Sequence, residues 1–290
     1  MFTKIRNRSM TFVFILAGFS MINSSSVQKS AKDDWTVLFD GSNLENWDTY
    51  LGPKQISGVS QDLSRQHVPG LNHDTANVFS LVNLDGEEVL RISGEIWGGL
   101  ITKREFRNYH LQLQFKWGQL KWYPRGKDSD KRDSGVLYHS VGEHGDGDLY
   151  WLRSQEFQIE EGDCGDYWGV AGAMEDVKAT LNADSVYQYD PAGTLFTFRE
   201  DNEIGRHCKK NPDAEKPTGE WNTIDLYCYE GTSMHVVNGV LTMLLQNSKQ
   251  LVNNKEIPLT QGKIQIQSES SEIFYRNIRI REINSLPEIN

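Results

Sequence analysis

Apolar and polar residues alternate with a period of two along much of this chain, and this pattern restricts the possible fold more than any other feature. The alternation is clearest at 109–117, 156–160, 223–229 and 263–267. No segment carries a long apolar stripe with the 3.6-residue period of an amphipathic helix. Because successive side chains of a strand point to opposite faces, each segment is predicted to be a strand with one buried face and one face in water.

Further strands are predicted at 89–92, 135–140, 194–199 and 273–280. Asn238-Gly239 separates two more such runs, which is a strong signal for a tight hairpin turn. Many strands at short spacing, without helices between them, predict an antiparallel sandwich or barrel. No internal repeat and no linker interrupts the chain after residue 35, so we predict a single domain at 35–284 and a short tail at 285–290.

The first 26 residues have the plan of a signal peptide. Three basic residues precede an apolar run at 11–22, and small polar residues follow it. The alternative is a membrane anchor, but the run is shorter than the roughly 20 residues that a spanning helix needs. We therefore predict a signal peptide at 1–26, a flexible lead at 27–34, and an exported protein, periplasmic or extracellular, without stable membrane insertion after cleavage.

The charge balance of the chain is acidic, with 40 Asp and Glu against 30 Lys and Arg. Removal of the signal peptide and its three basic residues changes the formal net charge from −10 to −13. A surface of this charge repels nucleic acid and anionic membranes, so no nucleic-acid partner is expected. The oligomeric state stays open.

The three cysteines, Cys164, Cys208 and Cys228, have no spacing typical of a metal site. In an oxidising compartment one pair could form a disulfide and leave an odd thiol. The sequence does not decide which residues would pair.

Aromatic residues are plentiful, with 8 Trp, 11 Tyr and 12 Phe. Most are expected in the core, but such rings also serve as stacking platforms for sugars. The polar faces of several predicted strands are either solvent-exposed or the concave wall of a binding groove. Two long segments, 123–133 and 201–220, are predicted as loops, which on such a fold are either functional or inert insertions.

Eight short motifs follow one another along the chain. They are Phe39–Trp47, Gly99–Lys103, Asp133–Val136, Gln155–Ile159, Gly219–Asn222, Val237–Gly239, Gly262–Gln267 and Tyr275–Ile278. In this order they resemble the 3-keto-disaccharide hydrolase domain family, with Asp133 in place of Asn and Gln155 in place of Tyr. The resemblance implies a concanavalin A-like jelly-roll sandwich of two antiparallel sheets with few short helices. It also implies action on glycosides whose C3 hydroxyl has been oxidised to a ketone.

Cleavage of such a glycoside needs particular groups. The ketone acidifies the hydrogen on C2, so a base can remove it and the aglycone can leave C1 by elimination. Later addition of water makes the net result a hydrolysis. The route requires a base near C2, a stabiliser for the enolate oxygen and an acid near the leaving oxygen.

Three polar residues at alternate positions of one predicted strand, Glu156, Gln158 and Glu160, share a face, about 7 Å apart between neighbours. We predict that Glu156 is an acid, base or metal ligand and that Gln158 and Glu160 bind sugar hydroxyls. The alternatives are a salt-bridged surface acid for Glu156 and a solvated turn for Glu160. Gln158 also stands where a glucanase of the E-x-D-x-E type has an acid, which disfavours a conventional glucan hydrolase.

Two other residues complete the predicted catalytic group. His139 lies on another predicted strand and is suited to proton transfer near neutral pH, or is a satisfied buried histidine. Lys103 either polarises the C3 carbonyl or lies on the surface. Trp97 and Trp151 are predicted as sugar platforms, with core packing as the alternative, and Gln267 as a further substrate-binding residue.

Several alternatives stay open at this level. A jelly roll also serves as a non-catalytic carbohydrate-binding module, because the fold does not decide the function. No cofactor is certain, and a divalent metal at the site is neither required nor excluded by the residues. A glycine-rich loop with His144, Asp146 and Asp148 has oxygen ligands that suit calcium, but it lacks a full ligand pattern and is read as a polar turn.

Overall fold

Two antiparallel sheets packed face to face form this computed structural model, which describes Met1, residues 34–57 and residues 67–289. Within those residues the regular structure consists of strands and no helix is present, so the few short helices expected are not found there. The described residues from Asp34 onward group into one compact unit. The predicted signal peptide and most of the lead lie outside the described residues.

The larger sheet has twelve strands, in the order β13-β12-β18-β17-β16-β8-β21-β5-β4, with β1, β14 and β19 added on β21, β12 and β18. Its strands are β1 (Thr36–Phe39), β4 (Phe79–Leu84), β5 (Glu87–Ile92), β8 (Tyr109–Lys121), β12 (Ala173–Leu181), β13 (Tyr187–Tyr189), β14 (Thr194–Phe198), β16 (Asn222–Tyr229), β17 (Thr232–Val237), β18 (Val240–Val252), β19 (Lys255–Pro258) and β21 (Ser271–Glu282).

The smaller sheet has nine strands, in the order β15-β11-β10-β9-β20-β6-β2-β3, with β7 added on β20. Its strands are β2 (Trp47–Leu51), β3 (Gly70–Leu71), β6 (Gly98–Thr102), β7 (Phe106–Arg107), β9 (Asp133–Val141), β10 (Arg153–Glu160), β11 (Tyr167–Val170), β15 (His207–Cys208) and β20 (Gln261–Ser268). This architecture confirms the predicted jelly-roll sandwich.

The alternating segments become the central strands of both sheets. Those at 109–117 and 223–229 form β8 and β16 of the larger sheet, and those at 156–160 and 263–267 form β10 and β20 of the smaller one. The predicted hairpin is also present between β17 and β18. Asn238 and Gly239 both have positive φ, 49° and 83°, as a two-residue turn between twisted strands requires.

The core lies between the inner faces of the two sheets. Leu111, Leu113 and Phe115 of β8 are buried in the same cluster as Phe157 and Ile159 of β10. Burial of one such side chain contributes about 1.5–3 kcal/mol relative to exposure. The core therefore fixes which face of β10 points outward, and with it the polar residues of that strand.

Register shifts interrupt the strand pairing at several places, and two of them are bulges in β9 and β21. His139 (φ 52°) in β9 and Asn277 (φ 54°) in β21 occupy the left-handed region, and the strand pairing shifts register beside each of them. A bulge adds one residue, so side chains beyond it change face. Ile278 consequently joins the core, whereas Arg276 lies outside, over the ring of Trp221 at 4.0 Å.

All three cysteines are buried and free, so no disulfide joins any two of them. In the described part of the chain, no helix is long and apolar enough to cross a membrane.

Candidate active site

Three adjacent strands of the smaller sheet, β10, β9 and β20, present a grid of polar residues on the face away from the core. The pairing of the strands places these residues in rows across the sheet. Read from β10 to β20, the rows are Glu160–Asp133–Glu269, Gln158–Gly135–Gln267 and Glu156–Leu137–Gln265. Leu137 and Gln265 are completely buried, so the polar members of these rows that can contact a ligand are Asp133, Glu156, Gln158, Gln267 and Glu269.

Gly135 at the centre of the grid leaves space for two side chains. A Cβ atom at this position would lie less than 3.0 Å from Glu156 Oε1 and from Gln267 Oε1, closer than folded proteins essentially ever allow. Glu156 and Gln267 come from opposite sides of β9 and approach each other above the glycine. Glu156 is only 6% exposed. The glycine thus allows a buried carboxyl group to lie over the middle strand.

The grid forms the floor of a cavity of about 550 Å³. One wall is aromatic, with the rings of Trp97 and Trp151 stacked at 5.9 Å and 24° and Tyr150 edge-on to Trp97 at 5.1 Å. The indole nitrogen of Trp97 donates to Ser270 Oγ (2.8 Å), and that of Trp151 donates to the carbonyl oxygen of Gly98 (3.3 Å). These hydrogen bonds hold both rings in place.

Trp168 of β11 contributes a second aromatic surface to the cavity and pairs with Glu156 across the sheet. His207 stacks on the indole at 4.3 Å, and the guanidinium group of Arg206 lies 5.2 Å from its centre. The His207 ring is anchored to the buried Asp166 at 2.8 Å. Trp168 is therefore a rigid apolar surface directly beside the carboxyl group of Glu156.

Two carboxyl groups of the cavity have strongly raised pKa values. Burial, reinforced by the negative charge of Asp133, raises the pKa of Glu156 to about 8, while Arg206 acts in the opposite direction. Burial and the nearby charge of Glu156 raise the pKa of Glu269 to about 8 against the effect of Arg125. Both groups can therefore gain or lose a proton near neutral pH, as acid–base catalysis requires.

Arg125 supplies positive charge to the floor of the cavity. Its Nη2 lies 2.6 Å from Asp133 Oδ2 and its Nη1 lies 2.5 Å from Glu160 Oε1. Burial and Glu269 nevertheless raise the pKa of Asp133, with Arg125 opposing the shift. Arg125 thus links the loop before β9 to two strands of the grid.

Five of the predicted site residues line this one cavity: Glu156, Gln158, Gln267, Trp97 and Trp151. Glu160 lies at its border, paired with Arg125. Part of the floor and the two tryptophans of the aromatic wall therefore come from residues that the sequence analysis predicted.

Lys103 does not lie in the cavity. It follows β6 at the other end of the strand, its side chain is 53% exposed, and its Nζ donates to the carbonyl oxygen of Glu45 (2.8 Å). The predicted convergence of Lys103 with Glu156 is therefore not found.

His139 is also separate from the cavity, because it occupies the bulge of β9. The left-handed backbone turns its ring into the core, 5.8 Å from Tyr109 and 5.3 Å from Tyr138. It is 1% exposed, and burial lowers its pKa to about 3. His139 is therefore a buried histidine, but not the satisfied one of the alternative, because neither ring nitrogen has a hydrogen-bond partner in the part of the chain that the structure describes.

Five residues that line the cavity are not among those that the sequence predicted for the site: Asp133, Glu269, Trp168, Arg125 and Arg206. Glu269 could have been found, because it follows Gln267 by two residues. The two arginines belong to the segments 123–133 and 201–220, which were predicted as long loops. No local sequence pattern predicts that these side chains reach the cavity.

The described residues contain no group of three or more His, Cys, Asp or Glu side chains arranged to hold a metal ion. Beside the grid, the guanidinium group of Arg125 already balances the charges of Asp133 and Glu160, which a bound metal cation would otherwise do. In the glycine-rich loop, Asp146 accepts the backbone N–H of Glu143, and His144 stacks on Tyr50 at 5.0 Å. These contacts are those of a polar turn.

The family of this chain follows from its match to a known domain family. Residues 34–281 match the family described as the 3-keto-alpha-glucoside-1,2-lyase-like domain. The chain belongs to this family. The match confirms the family resemblance predicted from the motifs.

Solved structures with a similar arrangement include two proteins from Parabacteroides distasonis, each described as a "putative glycosyl hydrolase". One is 16% identical, with 87% of this chain and 94% of that chain covered and a TM-score of 0.49. The other is 21% identical, with 86% and 99% covered and a TM-score of 0.46. A carbohydrate-binding module from Bacillus subtilis is 7% identical, with 70% and 92% covered and a TM-score of 0.40. No curated protein matches the chain.

Proposed function

We propose that this domain cleaves glycosidic bonds in glycosides that carry a ketone at C3, by abstraction of the C2 proton and elimination of the aglycone. The observation that carries the proposal is the presence of two buried carboxyl groups, Glu156 and Glu269, in one aromatic-walled cavity. Their pKa values of about 8 suit one to act as base and the other as acid near neutral pH.

In the proposed reaction, Glu156 removes the proton from C2 and the electron pair of that bond forms the enolate with C3. The enolate then collapses to a C1–C2 double bond while the bond between C1 and the leaving oxygen breaks. Glu269 donates a proton to this oxygen. Water adds at C1 and a proton returns to C2, which completes a net hydrolysis.

The amide side chains of the central row are proposed to bind the sugar. Gln158 Oε1 accepts the backbone N–H of Ile159 (3.1 Å), which leaves the amide NH₂ as the donor for the enolate oxygen or a hydroxyl group. Gln267 is proposed to orient Glu156, since the two side chains approach each other above Gly135. Trp97, Trp151 and Trp168 supply flat apolar surfaces for sugar rings.

Product analysis tests this function. A 3-keto-glucoside and its unoxidised parent are each incubated with the wild type, Glu156→Gln and the control Glu105→Gln, an exposed acid outside the cavity. We expect cleavage of the keto substrate alone, lost in Glu156→Gln and retained in Glu105→Gln. A parallel reaction with a chelator tests for a divalent metal. Binding without cleavage of either sugar would instead identify a carbohydrate-binding module.

We further propose that the protein is exported to the periplasm or the outside of the cell through the signal peptide at 1–26. N-terminal sequencing of the protein recovered outside the cytoplasm tests this proposal. A mature protein that still begins at Met1 contradicts it.

A further inference from the structure

Each positively charged group of the cavity already has an acidic partner. Arg125 lies between Asp133 and Glu160, at 2.6 and 2.5 Å. Arg206 Nη2 lies 3.9 Å from Asp148 Oδ2. Among the described residues that line the cavity, these two arginines are the only Lys or Arg side chains. No unpaired cation is therefore left there to receive an anionic group of a substrate.

The cavity also disfavours additional negative charge. Its lining holds four acidic side chains and two arginines, and burial raises the pKa of three of the acids, Asp133, Glu156 and Glu269. The pKa values of about 8 at Glu156 and Glu269 express the same effect on the protein's own carboxyl groups. A substrate carboxylate bound at this depth would lose its hydration without gaining a free cationic partner, which is costly.

We propose that the cavity selects glycosides of uncharged sugars over the matching glycosides of uronic acids. Asp148 is then a specificity-determining residue, because its carboxylate pairs with Arg206 and so competes with a substrate carboxylate for that arginine. The inference rests on the proposed function, since it takes the cavity as the place where the sugar binds. Asp148 has a left-handed backbone (φ 51°) and a side chain that is 66% exposed. Asn tolerates this conformation, so Asp148→Asn changes the charge and preserves the loop.

Binding to an inactive variant provides the test. The Glu156→Gln variant is used because its side chain is neutral. The raised pKa of Glu156 favours a neutral side chain in the wild type at pH 7 as well, so the substitution changes the charge of the cavity little. A 3-keto-glucoside and the matching 3-keto-glucuronide, which differ only at C6, are titrated by calorimetry. We expect the glucuronide to bind at least about tenfold more weakly. In the double variant Glu156→Gln/Asp148→Asn, the ratio of the two dissociation constants should fall about two- to fivefold. The effect is small because the Asp148–Arg206 ion pair is partly exposed.

The matched control is Asp146→Asn in the same loop. Asp146 does not line the cavity, and its carboxylate accepts the backbone N–H of Glu143 (3.0 Å). This substitution should leave the ratio unchanged. Equal or tighter binding of the glucuronide overturns the proposed selectivity, and an unchanged ratio in Asp148→Asn overturns the role of Asp148. Binding of neither sugar contradicts the proposed function itself, which is a different result.

Discussion

Glu156 and Gln267 approach each other from opposite sides of β9, and their side chains meet above the position where Gly135 has no Cβ atom. This relationship joins three strands in one site. It also gives a physical reason for the glycine in the Asp133–Val136 motif, because any larger residue would displace the carboxyl group.

Gly135→Ala is therefore expected to reduce kcat/KM at least about tenfold while the protein stays folded, since a misplaced catalytic group costs more rate than stability. Overpacking of this kind typically destabilises by about 1–3 kcal/mol. The control is Gly126→Ala, where an added Cβ would meet its nearest atoms at an ordinary 3.6 Å. Kinetics and thermal unfolding of both variants check this prediction, and full activity in Gly135→Ala would refute it.

The pH dependence of cleavage should reflect the coupled pair Glu156 and Glu269. Both pKa values are raised to about 8, so the state with one base and one acid is most populated near pH 8. We predict a bell-shaped profile of kcat/KM with its maximum near that pH. Glu269→Gln should remove the alkaline limb, because it removes the proposed acid. A maximum of kcat/KM at pH 4–5 would contradict this prediction, because it would show that the two carboxyl groups have the pKa values of exposed ones.

Trp168 should contribute to substrate affinity through stacking. Trp168→Ala is expected to weaken binding about two- to tenfold, the range that corresponds to an aromatic contact of about 0.5–1.5 kcal/mol. Trp221→Ala is the matched control, because Trp221 lies over Arg276, away from the cavity. Equal affinity in both variants would exclude Trp168 as a platform.

Stability should fall as the pH rises from about 4.5 to about 8, because Glu175 is buried between the sheets. Its carboxyl group accepts the Tyr138 hydroxyl (2.8 Å) and the Ser233 hydroxyl (3.1 Å), and burial raises its pKa to about 8. A raised carboxyl pKa contributes stability that is complete below the unfolded-state value of 4.5 and is lost as the pH rises through about 8.

Between pH 6.5 and pH 8 this loss amounts to about 2 kcal/mol for Glu175. Urea unfolding at both pH values measures it. Glu175→Gln should reduce the pH dependence by that amount, and the exposed Glu105→Gln should not. An unchanged pH dependence in Glu175→Gln would show that this carboxyl group does not titrate in that range.

Much of the fold and part of the site followed from local patterns. Alternation at 156–160 fixes Phe157 and Ile159 in the core and therefore places Glu156 and Gln158 on the opposite face. The same reasoning applies to Gln267 on β20. These predictions succeed because the period of a strand is a local property.

The failures have two physical causes. A bulge moves every later residue of its strand to the opposite face of the sheet. The sequence around His139 and Asn277 contains no pattern that predicts a bulge at either position. Long-range placement is the other cause, since Arg125 and Arg206 reach the cavity from loops whose paths depend on the whole fold. The exposed position of Lys103 likewise depends on how β6 lies in the sheet.

The central claim is that Glu156 removes the proton from C2, and isotope exchange tests it most directly. The keto-glycoside is cleaved in D₂O by the wild type and by Glu156→Gln, with an enzyme-free sample as the background, and the products are examined by NMR. The proposed reaction predicts deuterium at C2 of the wild-type product and neither exchange nor cleavage above background in Glu156→Gln. Cleavage that leaves the C2 hydrogen in place would contradict the proposal and indicate direct hydrolysis at C1.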